Sequence, residues 1–153
     1  MSRPLWQLDA CALGEQLRQK QLDPVELLTA CEERIGWLNP QLNAIVNFSG
    51  SAAADARASA ERFARGEPLS PIDGLPPATF GSRLYADYIP DSDEIPVERL
   101  RRAGAVIVGK TNVPEFCVEG FTDNELFGPT RNPWDPNLTP AGSSGGSVAA
   151  VAA

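Results

Sequence analysis

The chain of 153 residues contains no histidine, and this absence excludes several kinds of active site. Without an imidazole, neither a Ser-His-Asp nor a Cys-His arrangement can form, and most zinc and haem sites lose a usual ligand. Cysteine is also scarce: Cys11, Cys31 and Cys117 are widely spaced and form no CxxC pair. An odd number of separated cysteines fits a reducing compartment, so the sequence predicts a cytoplasmic protein.

Positive charge is the next thing in short supply. The chain has 13 lysines and arginines against 20 aspartates and glutamates, which gives a formal net charge of −7. This balance argues against nucleic acid or an anionic membrane as the main partner. The longest apolar runs are far shorter than a membrane span, and no basic-then-apolar signal peptide opens the chain. The remaining composition, 42% hydrophobic and 22% charged, is typical of a soluble globular domain.

Capping residues and apolar spacing predict the helices. Asp9 is a suitable cap for a helix over residues 5–22, and Asp23-Pro24 opens a second helix that Asn39-Pro40 closes. Cys31 falls on the apolar stripe of that second helix and is expected to be a small core residue. The other predicted elements are a helix over 51–65 ended by Gly66, a strand or turn over 42–48, a helix over 96–104, a helical turn over 114–118 and a loop over 120–140.

The run Ala105–Val108 carries the prediction of fold class. It is a continuous, mostly β-branched stretch, which is typical of a strand buried on both faces of a parallel sheet. A helix and Gly104 precede it, so the order helix, glycine, strand predicts an α/β fold. Residues 81–94 are rich in carboxylates, but their spacing matches no metal-ligand motif and predicts an exposed acidic loop.

The segment Gly142–Ser147, Gly-Ser-Ser-Gly-Gly-Ser, is the strongest candidate for a site. It leads into the apolar, helix-forming run Val148–Ala153, whose first turn Ser147 could cap. Unpaired N–H groups at such a junction suit an anion or a developing oxyanion, and the alternative reading is a flexible linker. Neither the GxxxxGK[ST] nor the GxGxxG pattern fits, which argues against nucleotide binding.

Serine chemistry without histidine needs a lysine as base, and the chain has only Lys20 and Lys110. Lys20 ends an amphipathic helix, where a solvated charge is expected. Lys110 follows the predicted strand, so Lys110 with Ser143 or Ser144 is the Ser-Lys pair that the residues by themselves allow.

Three motifs resemble the amidase signature family in order and spacing. They are Ala103–Asn112 (AGAVIVGKTN), Gly128–Asp135 (GPTRNPWD) and Gly142–Ser147 (GSSGGS). The N-terminal part, including Leu5–Asp9 and Leu38–Asn43, is similar to family members as well, so the resemblance covers nearly the whole chain.

The resemblance implies an α/β/α fold around a mixed sheet, of which residues 1–153 would form a partial domain. Residues 1–68 would be its mostly helical N-terminal part, and 69–153 the start of the sheet core with the Gly/Ser-rich loop. It also implies hydrolysis of carboxamides by a Ser–cis-Ser–Lys triad without cofactor or metal. The cis-serine falls on Ser143, where it would relay a proton between lysine and nucleophile. Four neighbours would shape the loop and contact substrate or backbone: Gly142, Ser144, Gly145 and Gly146.

Two departures from the family pattern bear on activity. Gly74-Leu75-Pro76 is followed at once by Pro77 and residues that resemble a later part of the family sequence, so the strand with the catalytic lysine is missing; Lys110 is not that lysine. The chain also ends before the position of the nucleophilic serine. Loss of triad members costs on the order of 10⁴–10⁶ in rate, so the chain alone is expected to be inactive.

The expected partners follow from the same resemblance: a small-molecule amide in the intact family, and either a second copy or a complementing chain. The alternatives left open are a non-catalytic remnant or interaction module, and a piece similar to the amidase-like component of Glu-tRNA amidotransferase.

Overall fold

The computed structural model describes residues 4–71, 73–74 and 92–153. Their helices are α1 (Ala10–Arg18), α2 (Pro24–Leu42), α3 (Ala52–Arg65), α4 (Ile95–Arg102) and α5 (Gly145–Ala152), with short 3₁₀ turns at Leu5–Gln7 and Glu115–Cys117. The strands are β1 (Ile45–Phe48) and β2 (Gly109–Thr111). The predicted acidic loop over 81–94 lies mostly, and the Pro76–Pro77 junction entirely, outside the described residues.

The described residues fall into two compact units. The first unit contains residues 4–35, 50–71, 73–74 and 92–108, and the second contains 36–49 and 109–153. Helix α2 contributes to both. No helix in the described part of the chain is long and apolar enough to cross a membrane.

The first unit packs its helices around two apolar clusters. One cluster consists of Leu17, Leu22, Leu27 and Phe63, and the other of Leu28, Ala52, Ala56, Val106 and Val108. Cys31 is half-buried and packs against the first cluster, as expected for a small core residue. These clusters exclude water from one face of each contributing helix, which supplies most of the stability of such short helices.

The helix caps predicted at Asp9, Asp23 and Gly66 are present. The Asp9 carboxylate accepts the Ala12 N–H at 2.8 Å, and the Asp23 carboxylate accepts the Val25 N–H at 2.7 Å. Gly66 ends α3 with a left-handed φ of 77°. The prediction of one helix over 5–22 was wrong at both ends, because the extended backbone of Asp9 makes Ala10 the first helical residue and α1 ends at Arg18.

Asn39-Pro40 does not close α2, which continues to Leu42. Asn39 instead holds the chain that leaves the helix: its side-chain oxygen accepts the N–H groups of Ala44 (3.0 Å) and Ile45 (2.8 Å). The helix ends where Asn43 takes a left-handed φ of 51°. A proline two residues before the end of a helix is therefore compatible with the last turn here.

The connector after α3 is fixed by a buried carboxylate in the first unit. Asp73, 1% exposed, accepts hydrogen bonds from Ser59 (2.7 Å), the Leu69 N–H (2.9 Å) and both Nε and Nη2 of Arg62 (2.8 and 2.6 Å). Burial by itself raises the pKa of Asp73, but the hydrogen bonds from Arg62, Leu69 and Ser59 and the charge of Arg62 outweigh it. The pKa of Asp73 is therefore lowered.

In the second unit, β1 and β2 pair antiparallel with the register Ile45↔Thr111, Asn47↔Lys110 and Phe48↔Gly109, and a bulge lies between Ile45 and Asn47. A small core of Leu42, Ala44 and Ala149 packs beside them. The predicted strand at Ala105–Val108 was wrong: this run is mostly buried, but a strand needs a backbone partner. In the described part of the chain, hydrogen-bonded pairing with β1 begins only at Gly109, and the two strands are antiparallel.

Candidate active site: the glycine- and serine-rich loop before α5

The loop that enters α5 has an unusual backbone. Ala141 has a left-handed φ of 68°, and the peptide bond between Gly142 and Ser143 is cis. The helix begins at Gly145, with Ser144 as the residue before it. The prediction that Ser147 caps the helix was wrong, because Ser147 lies inside the first turn and its hydroxyl forms a hydrogen bond with the Thr111 hydroxyl at 2.8 Å.

The glycines of the loop lie where backbone atoms or the Thr122 side chain come too close for any side chain. A Cβ at Gly146 would lie 2.4 Å from the Asn112 backbone nitrogen, and one at Gly142 would lie 2.8 Å from the Glu119 backbone oxygen. A Cβ at Gly145 would lie 2.1 Å from the Thr122 hydroxyl. Three glycines therefore let the loop pack directly onto the interior of the second unit, which a flexible linker would not do.

Hydrogen bonds hold the loop at the same contacts. The Gly145 N–H donates to the Thr122 hydroxyl at 3.0 Å, and the Gly146 N–H donates to the Asn112 carbonyl at 3.1 Å. The Asn112 N–H in turn donates to the Ala44 carbonyl at 2.8 Å. The start of α5 is thus tied through Asn112 to the segment before β1.

A buried amide network supports Asn112, which has no exposed surface. Its side-chain nitrogen donates to the Gly128 carbonyl (2.9 Å) and the Thr130 hydroxyl (3.0 Å), and its oxygen accepts from Asn124 Nδ2 (2.7 Å). Because a buried polar group is costly unless it is satisfied, this network fixes Asn112 in one orientation. Sequence analysis placed Asn112, Gly128 and Thr130 within two of the motifs but assigned none of them a role, and it did not single out Asn124.

Two of the three loop serines, Ser143 and Ser144, differ from Ser147 in their hydrogen bonding. Ser143 is half-buried and Ser144 exposed, and across residues 4–71, 73–74 and 92–153 neither hydroxyl has a hydrogen-bond partner. The backbone around Ser143 is held on both sides while its side chain is left available. This arrangement suits a residue whose hydroxyl reacts with or relays a proton to another group.

Neither lysine is bonded to these serines. Lys110 is exposed on β2, between the buried residues Gly109 and Thr111, and forms no hydrogen bond with Ser143 or Ser144. Lys20 donates to the Ala64 carbonyl at 3.2 Å, within the first unit. In the described ranges, no group of three or more acidic, histidine or cysteine residues could hold a metal ion.

Comparisons with known proteins agree with the sequence motifs. The sequence profile of the Amidase family matches residues 26–153. One component of the glutamyl-tRNA(Gln) amidotransferase of Chloroflexus aggregans is 42% identical over 159 residues, and the match covers 95% of this chain and 33% of that protein. The indoleacetamide hydrolase of Bradyrhizobium diazoefficiens is 40% identical over 163 residues, covering 98% of this chain and 31% of that protein.

Solved structures of two amidases also match nearly the whole of this chain and about a third of their own length. A bacterial aryl acylamidase of the amidase signature family superposes with a TM-score of 0.87 at 29% identity, covering 96% of this chain and 34% of that one. A peptide amidase gives a TM-score of 0.88 at 29% identity, covering 99% of this chain and 35% of that one.

The chain thus spans about a third of the length of the relatives it matches, and the predicted fold class is confirmed by these neighbours. With a family profile over most of its length, the chain belongs to the amidase family.

Proposed function

We propose that this chain contributes the serine loop of a site that hydrolyses carboxamide C–N bonds, with Ser143 as the middle member of a proton relay. The observation that carries the proposal is the contrast between a fixed backbone and an available side chain. Backbone contacts hold Gly145 and Gly146, while the Ser143 hydroxyl has no hydrogen-bond partner in the described part of the chain. A relay group has to be placed accurately and yet free to exchange its hydrogen bonds.

The chemistry follows from what a hydroxyl can do. It donates one proton and accepts another, so Ser143 can receive the proton of an attacking serine and pass its own to an unprotonated lysine. The attacking oxygen then bonds to the amide carbon, and the amine leaves after it has been protonated through the same relay in reverse. The acyl group is then bonded to the serine oxygen. A water molecule attacks it with the same proton transfers, which releases the carboxylic acid and restores the serine. Gly142, Ser144, Gly145 and Gly146 would shape the loop around the substrate.

The lysine and the nucleophile of this relay would have to come from outside these 153 residues. The chain has no histidine, and neither of its two lysines is bonded to Ser143 or Ser144. We therefore propose a complete site that includes further polypeptide, either in the same protein or in a complementing chain. The substrate class is a small carboxamide. The three free cysteines support a reducing, cytoplasmic location.

Two measurements test this. The purified 153-residue chain should release no ammonia above background from indoleacetamide or simple aliphatic amides. The second uses a chimera in which residues 109–153 replace the aligned segment of the Bradyrhizobium indoleacetamide hydrolase, so that the host keeps its own lysine and nucleophile.

In the chimera, Ser143→Ala should lower kcat by at least about 10³, because removal of one member of a cooperative triad disables the relay. Thr139→Ser, at an exposed residue before the loop, keeps the hydroxyl that accepts the Ala141 N–H at 3.2 Å and serves as the control with activity close to that of the parent chimera. Turnover by the 153-residue chain would contradict the claim that the site is incomplete. An active Ser143→Ala chimera would contradict the relay and favour a non-catalytic role.

A further inference from the structure

One buried hydroxyl connects the two ends of the Gly142–Ser144 turn. Thr122 is 1% exposed, and its Oγ1 donates to the Ala141 carbonyl at 2.9 Å and accepts the Gly145 N–H at 3.0 Å. An N–H can only donate and a carbonyl can only accept, so the hydroxyl proton is directed at Ala141. A single oxygen atom therefore bonds the residues on both sides of the three that include Ser143.

Residues on both sides of Thr122 Oγ1 fix its position: Gly145 in the loop, and Thr130 in the interior of the second unit. A Cβ at Gly145 would lie 2.1 Å from Thr122 Oγ1, so the approach requires glycine there. On the other side, the backbone carbonyl of Thr122 accepts the Thr130 N–H at 2.9 Å, and the Thr130 hydroxyl donates to the Asn43 carbonyl at 2.8 Å. Thr122 is thus attached to the interior of the second unit and does not depend on the loop for its own placement.

We propose that Thr122 is the positioning residue of the serine loop: its hydroxyl fixes the Ala141-to-Gly145 span and thereby holds Ser143 in register for the relay. This inference rests on the proposed function of Ser143. The Ser143 side chain has no partner of its own in the described residues, so its place is set by the backbone alone. A displacement of about 1 Å in a reacting group costs on the order of 10² in rate. The pair of hydrogen bonds formed by the Thr122 hydroxyl, called the brace below, is therefore expected to affect the rate.

Hydrogen exchange in the 153-residue chain tests the brace directly. Thr122→Val keeps the shape of the side chain and removes both hydrogen bonds, so the Gly145 amide should exchange about 10- to 100-fold faster in an NMR experiment. The Gly146 amide, held by the Asn112 carbonyl, should change by less than about threefold. Thr122→Ser restores the hydroxyl and should restore the protection of Gly145.

Thr111→Val is the matched control, because Thr111 is also a buried threonine of the second unit and its hydroxyl bonds Ser147 and not the Ala141-to-Gly145 span. The inference is overturned if Thr122→Val leaves Gly145 exchange unchanged, or if Thr111→Val accelerates it as much. If Thr122→Val does not fold, an NMR measurement on the wild-type chain tests the two hydrogen bonds of Thr122 instead. The Thr122 hydroxyl proton should be a slowly exchanging resonance close to the Gly145 amide, and its absence would refute the brace.

The functional consequence is measured in the chimera described above. Thr122→Val should lower kcat about 10- to 100-fold with little change in KM, and Thr122→Ser should recover it. The two proposals fail separately. If Ser143→Ala abolishes turnover but Thr122→Val does not lower it, only the positioning role is wrong. If Thr122→Val loosens Gly145 but Ser143→Ala remains active, only the proposed function is wrong.

Discussion

Gly146→Ala should destabilise the chain, although a glycine-to-alanine change inside a helix ordinarily stabilises it. Gly146 lies in the first turn of α5, where alanine would gain about 1 kcal/mol in helix propensity. A Cβ there would lie 2.4 and 2.5 Å from the Asn112 backbone N and O and 2.7 Å from the Ala44 carbonyl oxygen. All three are backbone atoms, so no side-chain rotation relieves the contact.

The magnitude follows from what has to move. Ordinary contact begins near 3.4 Å, so the closest atom must retreat by 3.4 − 2.4 = 1.0 Å. That shift breaks the Gly146-to-Asn112 and Asn112-to-Ala44 backbone hydrogen bonds, each with a net contribution of about 1 kcal/mol. Overpacking adds about 1–3 kcal/mol, and the propensity gain removes about 1 kcal/mol. The expected loss in free energy of unfolding is therefore about 2–4 kcal/mol.

Urea unfolding followed by circular dichroism and tryptophan fluorescence measures this loss. The matched control is Gly36→Ala, because Gly36 is an exposed glycine within α2 whose Cβ would meet nothing within 4 Å. That variant should gain about 0.5–1 kcal/mol. A Gly146→Ala chain that unfolds at the same or a higher urea concentration than wild type would refute the close packing of α5 on Asn112.

Three further predictions concern charge, the site serine and the thiols. Because the folded-state pKa of Asp73 is lowered, its contribution to the free energy of unfolding is present above the pKa of an unfolded aspartate and is lost as pH falls through the folded value. In urea titrations at several pH values, Asp73→Asn should reduce the loss of stability at acid pH. An unchanged loss would contradict the role of the Asp73–Arg62 pair. Ser143→Ala should leave the free energy of unfolding of the 153-residue chain within about 0.5 kcal/mol, since its hydroxyl has no partner in the described residues; a larger loss would mean that Ser143 has a structural role. Iodoacetamide should label exposed Cys11 before Cys31, whose thiol pKa is raised by burial and then by Glu32; mass spectrometry of timed samples checks the order, and earlier labelling of Cys31 would show that it is not packed in the core.

The sequence was most informative where a signal is local. Asp9, Asp23 and Gly66 end or begin helices through contacts within a few residues, and all three act as predicted. The family assignment was also accessible, because three motifs occur in a fixed order. The roles of Ser143 and its glycine neighbours stay predictions until the chimera is measured.

The sequence was least informative where the partner of a residue lies far along the chain. Ala105–Val108 has strand composition, but Gly109–Thr111 pairs with β1 instead. Which residues pair is decided by the position of β1, more than 60 residues earlier in the chain, and composition does not reveal it. Asn39-Pro40 is a different case, because the helix continues to Leu42 and Asn39 bonds Ala44 and Ile45, only five and six residues further on. The first error came from a distant strand partner, and the second from a local contact that the rule for proline does not include.

The sequence by itself determined the caps at Asp9, Asp23 and Gly66, the family and the absence of histidine from these 153 residues, since these depend on residue identity and short spacing. Only the tertiary structure decided why the serine loop has its glycines and what holds it. Asn112 and Thr122 lie 34 and 23 residues before Gly146 and Gly145, and their contacts with the loop exist only after folding. The physical reason is that an approach too close to leave room for a Cβ leaves no trace in the sequence beyond a glycine, and a glycine alone does not identify its neighbour.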